Sequence, residues 1–152
     1  MTVEPAIRRA ESRDIPVIVH YNMALAAETE KRHLDQATVT AGVTAFLEHP
    51  EYGFYIIAEA GGEPVAQTMI TYEWSDWRNG VIWWIQSVYV SAAWRRLGLY
   101  RKLYQQVREL AAQDGGVKEL RLYVDQDNTA ARQTYQALGM MPSRYLLYEA
   151  DI

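Results

Sequence analysis

Apolar residues along this chain switch repeatedly between helical spacing and two-residue alternation, which predicts a mixed α/β arrangement. A short strand near AIRRA (6–10) leads to Ser12, Asp14 and Pro16, a helix-start combination, and so to a helix from about Pro16 to Glu28. Thr38 or Thr40 is placed to start a second helix, in which Val39, Val43, Phe46 and Leu47 recur at helical spacing until Pro50 ends it. Two β-rich runs around Gly61-Gly62 predict a hairpin of strands 53–60 and 64–74. The turn pair Asn79-Gly80 then releases VIWWIQSVYV (81–90), broken only by Gln86 and Ser87, which predicts a strand buried in the centre of a sheet. A helix over 96–113 follows, with Leu99, Leu103, Val107 and Leu110 on one face. Gly115-Gly116, a strand over 118–124, a helix from Asn128 to Leu138 closed by Gly139, and a last strand in SRYLLYEAD (143–151) complete the pattern.

With 152 residues, 49% of them apolar, and no repeat or linker, the expectation is a single domain spanning 1–152 with a real core. The charge balance, 15 Lys+Arg against 19 Asp+Glu, is −4, which disfavours nucleic acid and membrane surfaces as partners. The chain has no cysteine, which removes disulfides, thiol nucleophiles and thiolate metal sites together. The three histidines, His20, His33 and His49, have no paired ligand spacing, so no metal is expected. MTVEPAIRRAESRD lacks an apolar signal core, and a cytoplasmic location is the expectation.

The chemistry gathers at AAWRRLGLYRKLY (92–104), where a buried strand gives way to a helix. A helix N-terminus exposes unpaired amides at the positive end of the macrodipole. Gly98 lets a ligand approach the backbone, while Arg95, Arg96 and Arg101 add charge, so the stretch is either an anion cradle or a solvated basic patch. It has neither the Gly-Lys-Ser/Thr ending of a P-loop nor Gly-x-Gly-x-x-Gly, which disfavours nucleoside triphosphates and NAD.

VYVSAAWRRLGLYRKLYQQV resembles the acyl-CoA-binding motif of the GNAT superfamily of N-acetyltransferases, [Arg/Gln]-x-x-Gly-x-[Gly/Ala], falling on Arg95, Arg96, Leu97, Gly98, Leu99 and Tyr100. Arg96 stands where many members have glycine, and Tyr100 where Gly or Ala is usual. LRLYVDQDNTAARQTYQALGM resembles the second half of the family pattern through Asn128, Ala131, Tyr135 and Gly139, and the order of elements resembles the family's along nearly the whole chain. The resemblance implies a mostly antiparallel central sheet, flanked by helices, whose fourth and fifth strands splay to admit the pantetheine arm of acetyl-CoA. The backbone of Val88, Tyr89 and Val90 would face pantetheine and thioester, amides from Arg96 to Arg101 would hold the pyrophosphate, and Asn128 would lie near the pantetheine. Asn128 is equally a favoured helix cap.

The reaction implied is direct acetyl transfer from acetyl-CoA to a primary amine of a small molecule. An alkyl amine with a pKa near ~10.4 is largely protonated at neutral pH and needs a base; a thiolate with a reference pKa of ~8.5 needs a proton. By resemblance Tyr135 is the acid. WIQSVYV resembles the central strand of polyamine-type and thialysine-type members, which carry Glu where this chain has Gln86. Gln86 can orient an amine or a water but cannot take a proton. Glu28 is the favoured carboxylate, with Glu30 and Glu73 as alternatives. Trp83 and Trp84 point to opposite faces of their strand, so one belongs to the core and the other could wall an acceptor pocket. The competing expectation is an acyl-CoA-binding sensor or interaction module with the same fold and little catalysis. Family members are often dimers, and a homodimer is expected by analogy.

Overall fold

The computed structural model describes residues 3–152. Five strands, β1 (Ala6–Arg9), β2 (Gly53–Ala60), β3 (Glu63–Ser75), β4 (Gly80–Val90) and β5 (Val117–Leu122), lie in one sheet in chain order. Pairing is antiparallel from β1 through β4, and β5 is added parallel to β4. Helices α1 (Ile15–Glu30), α2 (Gln36–Glu48), α3 (Leu99–Asp114) and α4 (Thr129–Ala137) flank it. The mixed, mostly antiparallel sheet is the one expected.

Alternation along β2 divides the apolar residues between two faces. Ile56 and Ala58 join Ile70, Trp83 and Ile85 against Leu99, Leu103 and Val107 of α3. Tyr55 and Ile57 face the other way, against Ile18 and Val19 of α1 and Val43 of α2. Trp83 is therefore the core member of the tryptophan pair, in T-shaped contact with Phe54 at 5.3 Å. Between β1 and α1, a 3-10 turn over Ser12–Asp14 holds the buried Asp14 carboxylate in a two-point grip from Arg8, at 2.7 and 2.9 Å. Arg8 also binds Glu59 of β2 at 3.0 Å, which fastens the start of α1 to the sheet.

Beyond small shifts, with α1 running on to Glu30 rather than Glu28 and β5 ending at Leu122 rather than 124, three departures from the sequence pattern have a visible cause. The second helix starts at Gln36 rather than after Thr38 or Thr40: Asp35 caps it, its carboxylate accepting from the Thr38 amide at 2.9 Å. The third starts at Leu99 rather than 96, because Arg96 (φ 63°) and Gly98 (φ 81°) hold left-handed conformations that a right-handed helix excludes. The expected strand at 143–151 is absent; an alternating pattern makes a strand only when an edge pairs with it, and this segment has no ladder partner. Among the described residues, no helix is long and apolar enough to cross a membrane.

Candidate functional site

Two irregularities in β4 open the site. Gln67 pairs with Tyr89 and Met69 with Gln86, so Ser87 and Val88 oppose Thr68 alone. The extra residue is a β-bulge, with Ser87 at φ 51°, and it re-aims the strand at this point. On its other side β4 pairs with β5 only as far as Ile85 opposite Leu122. From Gln86 to Val90 that edge has no strand partner among the described residues, so its main-chain groups face the gap that the parting strands leave.

Beyond Val90, a 3-10 turn over Ala92–Trp94 leads to the start of α3. The first bond into the helix runs from the Lys102 amide to the Gly98 carbonyl at 3.0 Å, which leaves the amides of Leu99, Tyr100 and Arg101 without helical acceptors. Positive φ at Arg96 and Gly98 curls the chain so that neighbouring amides converge, the backbone concavity that suits an anion. A Cβ built on Gly98 meets nothing within 4 Å, so this face of the loop is open to a ligand.

A cavity of about 670 Å³ lies beside this loop, between α1 and α2 on one side and the ends of β4 and β5 with α4 on the other. Of the residues singled out in the sequence, it brings together Glu30, Gln86, Val88, Tyr100, Asn128, Ala131 and Tyr135. Asn128 serves as the α4 cap, accepting from the Ala131 amide at 3.1 Å, while also lining the cavity. Burial raises the pKa of the Tyr135 phenol well above its ordinary value, and Tyr100 adds to the rise. The Tyr135 phenol is thus held neutral at physiological pH. Tyr100 reaches into the same space, its own pKa also raised, chiefly by burial. Gln86 donates to the Thr71 hydroxyl at 2.6 Å.

Other candidates stand apart from the cavity wall. Glu28 receives the Arg95 guanidinium at 2.7 Å and the Tyr89 hydroxyl at 3.2 Å. Arg95 also donates to the Val90 carbonyl at 2.9 Å, so its cation is turned back on β4 and α1 rather than towards the loop amides. The Tyr89 ring packs on Tyr21 at 4.8 Å. Leu97 is exposed and Leu99 is core. Arg96 and Arg101 are exposed and have no ion-pair partner among the described residues, which leaves them as the cations available at the helix start. Glu73 binds Arg121 at 3.5 Å and accepts from the Trp84 indole at 3.1 Å, and Trp84 stacks on Tyr123 at 4.5 Å. Neither Trp84 nor Glu73 lines the cavity.

The structure also assembles groups that the sequence pattern did not pick out. Asp125 stands on the cavity wall with Glu30, the carboxylate that the sequence ranks behind Glu28. Beneath them lies a polar chain through both sheet and helix. Gln67 donates to Asn22 at 2.8 Å and to the Ser87 carbonyl at 3.1 Å, and Asn22 donates to the Tyr55 hydroxyl at 3.0 Å. Gln67 is fully buried, and its Oε1 is the one buried side-chain acceptor without a partner among the described residues. No sequence signal marks this chain, because its members are 45 and 20 residues apart along the sequence. No group of acidic and histidine residues among those described could hold a metal ion.

The family model described as "Acetyltransferase (GNAT) family" matches residues 19–140. A crystal structure of a possible acetyltransferase from Clostridium difficile 630 is 39% identical, with 100% of this chain and 99% of that one covered and a TM-score of 0.91. A predicted acetyltransferase with acetyl-CoA from Clostridium acetobutylicum shares the fold at 16% identity, with coverage of 97% and 96% and a TM-score of 0.80. An aminoglycoside N-acetyltransferase in complex with CoA does so at 15% identity, with coverage of 99% and 97% and a TM-score of 0.77.

Proposed function

The chain belongs to the GNAT acetyltransferase family, and from that premise we propose that it moves an acetyl group from acetyl-CoA directly to a primary amine of a small molecule. The observation that carries this reading is the partner-free edge of β4 after Ile85, which runs from the bulge at Ser87 towards the open amides ahead of Lys102. An extended pantetheine arm could pair with that edge as a strand would, and a diphosphate suits the amides at the head of α3. Val88, Tyr89 and Val90 supply the edge; Arg96, Leu97, Gly98, Leu99, Tyr100 and Arg101 supply the anion site, with Arg95 bracing it through Val90 and Glu28. Asn128 borders the arm from the start of α4.

Acetyl-CoA supplies the activated acyl group; the residues of this chain handle the protons. The ammonium form of the acceptor must lose one, and the carboxylates Glu30 and Asp125 on the cavity wall are placed to receive it, with Gln86 and Asn22 orienting the amine or a water. Glu28 can serve only if its pairing with Arg95 is released, so its role in this reading is chiefly to hold Arg95. A backbone amide of the β4 edge is suited to the oxygen that gains negative charge as the amine attacks. Tyr135 donates towards the departing sulfur. Because burial makes it a weaker acid than free tyrosine, it acts best by hydrogen bonding and concerted transfer rather than by ionising first.

The test is thiol release from acetyl-CoA, read with a thiol-reactive dye, across polyamines, amino acids and aminoglycosides. The chain has no cysteine, so the protein contributes no background. Saturable release with cationic amines supports the reading. Saturable CoA binding with no release for any amine would favour a sensor or interaction module instead.

A further inference from the structure

Gly42 is an unexpected residue for its place. It sits in the interior of α2, where only proline is less favoured than glycine. Its φ is not positive, so its backbone is one that any residue adopts, and a Cβ built on it meets nothing within 4 Å. Neither conformation nor a close neighbour calls for glycine here. What the missing side chain leaves is space, and that space opens on the cavity.

The half of the cavity that Gly42 borders is lined by matching stripes of two helices. α1 contributes Asn22, Leu25, Ala26 and Thr29, and α2 contributes Val39, Gly42, Val43 and Phe46, both at the i, i+3, i+4, i+7 spacing of one helix face. Met69 of β3 joins them. The polar members are already engaged within the protein. Asn22 donates to the Tyr55 hydroxyl at 3.0 Å and accepts from Gln67 at 2.8 Å, and the Thr29 hydroxyl donates to the Leu25 carbonyl at 2.7 Å. Among the described residues no lysine or arginine lines the cavity, and its two carboxylates lie on separate segments, Glu30 at the end of α1 and Asp125 beyond β5. A polyamine or an aminoglycoside brings several ammonium groups, and those beyond the reach of the two carboxylates would lose water against Leu25, Val43 and Phe46 with no partner. A free amino acid brings a carboxylate for which the wall has no cation.

We propose that the acceptor is a monocation on an apolar body, an alkyl or arylalkyl primary amine without a carboxylate, and that Gly42 makes the room for that body between α1 and α2. The inference rests on the acetyl-transfer reading above and narrows its acceptor. The body replaces water along Leu25, Val43 and Phe46, while the single ammonium group stays within the part of the cavity that holds Glu30. The stoichiometry is that of the transfer itself. The amine nitrogen bonds the acetyl carbon as the C–S bond breaks; of the two protons the ammonium loses, the equivalent of one ends on the thiolate and the other goes to solvent. A neutral amide and CoA are left.

Linear amines from ethylamine to hexylamine share one head group and one charge and differ only in the body, so thiol release from acetyl-CoA across this series isolates the apolar contribution. The acceptor kcat/KM is expected to rise roughly fourfold per added methylene, with spermidine below hexylamine. Gly42→Leu fills the space and should cut the hexylamine-to-ethylamine ratio roughly tenfold or more, with the Kd for CoA unchanged. Gly42→Ala should melt at or above wild type, as expected where α2 has no structural need of glycine. A kcat/KM that is flat with chain length or highest for spermidine, a ratio unchanged in Gly42→Leu, or a Gly42→Ala variant melting well below wild type overturns the inference and leaves acetyl transfer standing. No thiol release with any amine, while CoA still binds, overturns the transfer reading itself and this inference with it.

Discussion

Gly98→Ala separates what the loop contributes to folding from what it contributes to ligand binding. Gly98 sits at φ 81°, where a side chain strains the backbone by about 1–2 kcal/mol. No protein atom lies within 4 Å of the added methyl, so no clash enlarges that figure. At this chain length each 1 kcal/mol corresponds to roughly 2–4 °C in melting temperature, giving an expected drop of about 2–8 °C. Gly115, at the other end of α3, provides the control: its φ is 77° and its Cβ also meets nothing within 4 Å. Gly115→Ala should lose similar stability. Only Gly98→Ala adds a methyl beside the amides assigned to the diphosphate, and losing a single charge-assisted hydrogen bond of about 1.5–3 kcal/mol there would weaken CoA binding roughly ten- to a hundredfold. Calorimetric titration of CoA into both variants, at a temperature where both are folded, is the assay. Equal affinities for the two variants would refute the assignment of this loop to the cofactor phosphates, whatever their melting temperatures.

Tyr135→Phe should lower kcat by roughly 10²–10⁴ with CoA affinity nearly unchanged, as measured by steady-state kinetics and titration. Since burial raises its pKa, the alkaline fall in kcat due to Tyr135 should lie above about pH 10; a Tyr135-dependent limb nearer neutrality would remove it as the acid. Asp14→Asn should destabilise the fold by about 3 kcal/mol at pH 7, because it breaks the buried two-point pair with Arg8. The Arg8 hydrogen bonds hold the Asp14 carboxyl below its usual range, so its stabilisation is fully present above the unfolded value of about 3.9 and is lost as pH falls through the folded value. Denaturant melts should accordingly show the gap between wild type and Asp14→Asn constant from pH 7 to 5 and closing below about 4. Gly53→Ala should cost about 3 kcal/mol or more, since its Cβ would fall 1.8 Å from the Ile70 carbonyl oxygen at a φ of 146°; a variant melting near wild type would mean that β2 and β3 can part there.

Elements whose pattern depends only on their own residues were legible. The hairpin around Gly61-Gly62, the buried strand VIWWIQSVYV and the amphipathic face of Leu99, Leu103 and Val107 all follow from spacing, and the strand 53–60 matches residue for residue. Where the outcome depends on a neighbour, spacing was not enough. The start of α3 moved from 96 to 99 because the loop ahead of it holds two left-handed residues, one of them the non-glycine Arg96, whose cost only the folded context can sustain. The tail 143–151 shows the same dependence from the other direction. Its residues favour a strand, but an edge partner is a property of the assembly and not of the segment.

The site divides along the same line, and the division explains why its two halves differ in legibility. An anion cradle is made from contiguous backbone, so one glycine, a helix start and local arginines announce it within a dozen residues of sequence. Even there the charge count misleads: Arg95 spends its guanidinium on Val90 and Glu28, leaving the amides with Arg96 and Arg101 as neighbours. The proposed acceptor side is made from α1, β2, β3 and β4 meeting in space, so Asn22, Tyr55 and Gln67 carry no mutual signal along the chain. Glu28 and Glu30 differ by two residues at the end of α1, which turns them through about 200° of a helix at ~3.6 residues per turn. That rotation sends one to Arg95 and the other to the cavity wall, a choice no composition or spacing rule could have made. Exchanging the two roles by substitution is therefore the sharpest probe of the acceptor side: Glu30→Gln should depress turnover with cationic amines, whereas Glu28→Gln should act through the loop that Arg95 braces and raise the KM for acetyl-CoA. If Glu28→Gln instead lowers kcat and leaves that KM unchanged, the carboxylate tied to Arg95 takes the proton and the assignment above is reversed.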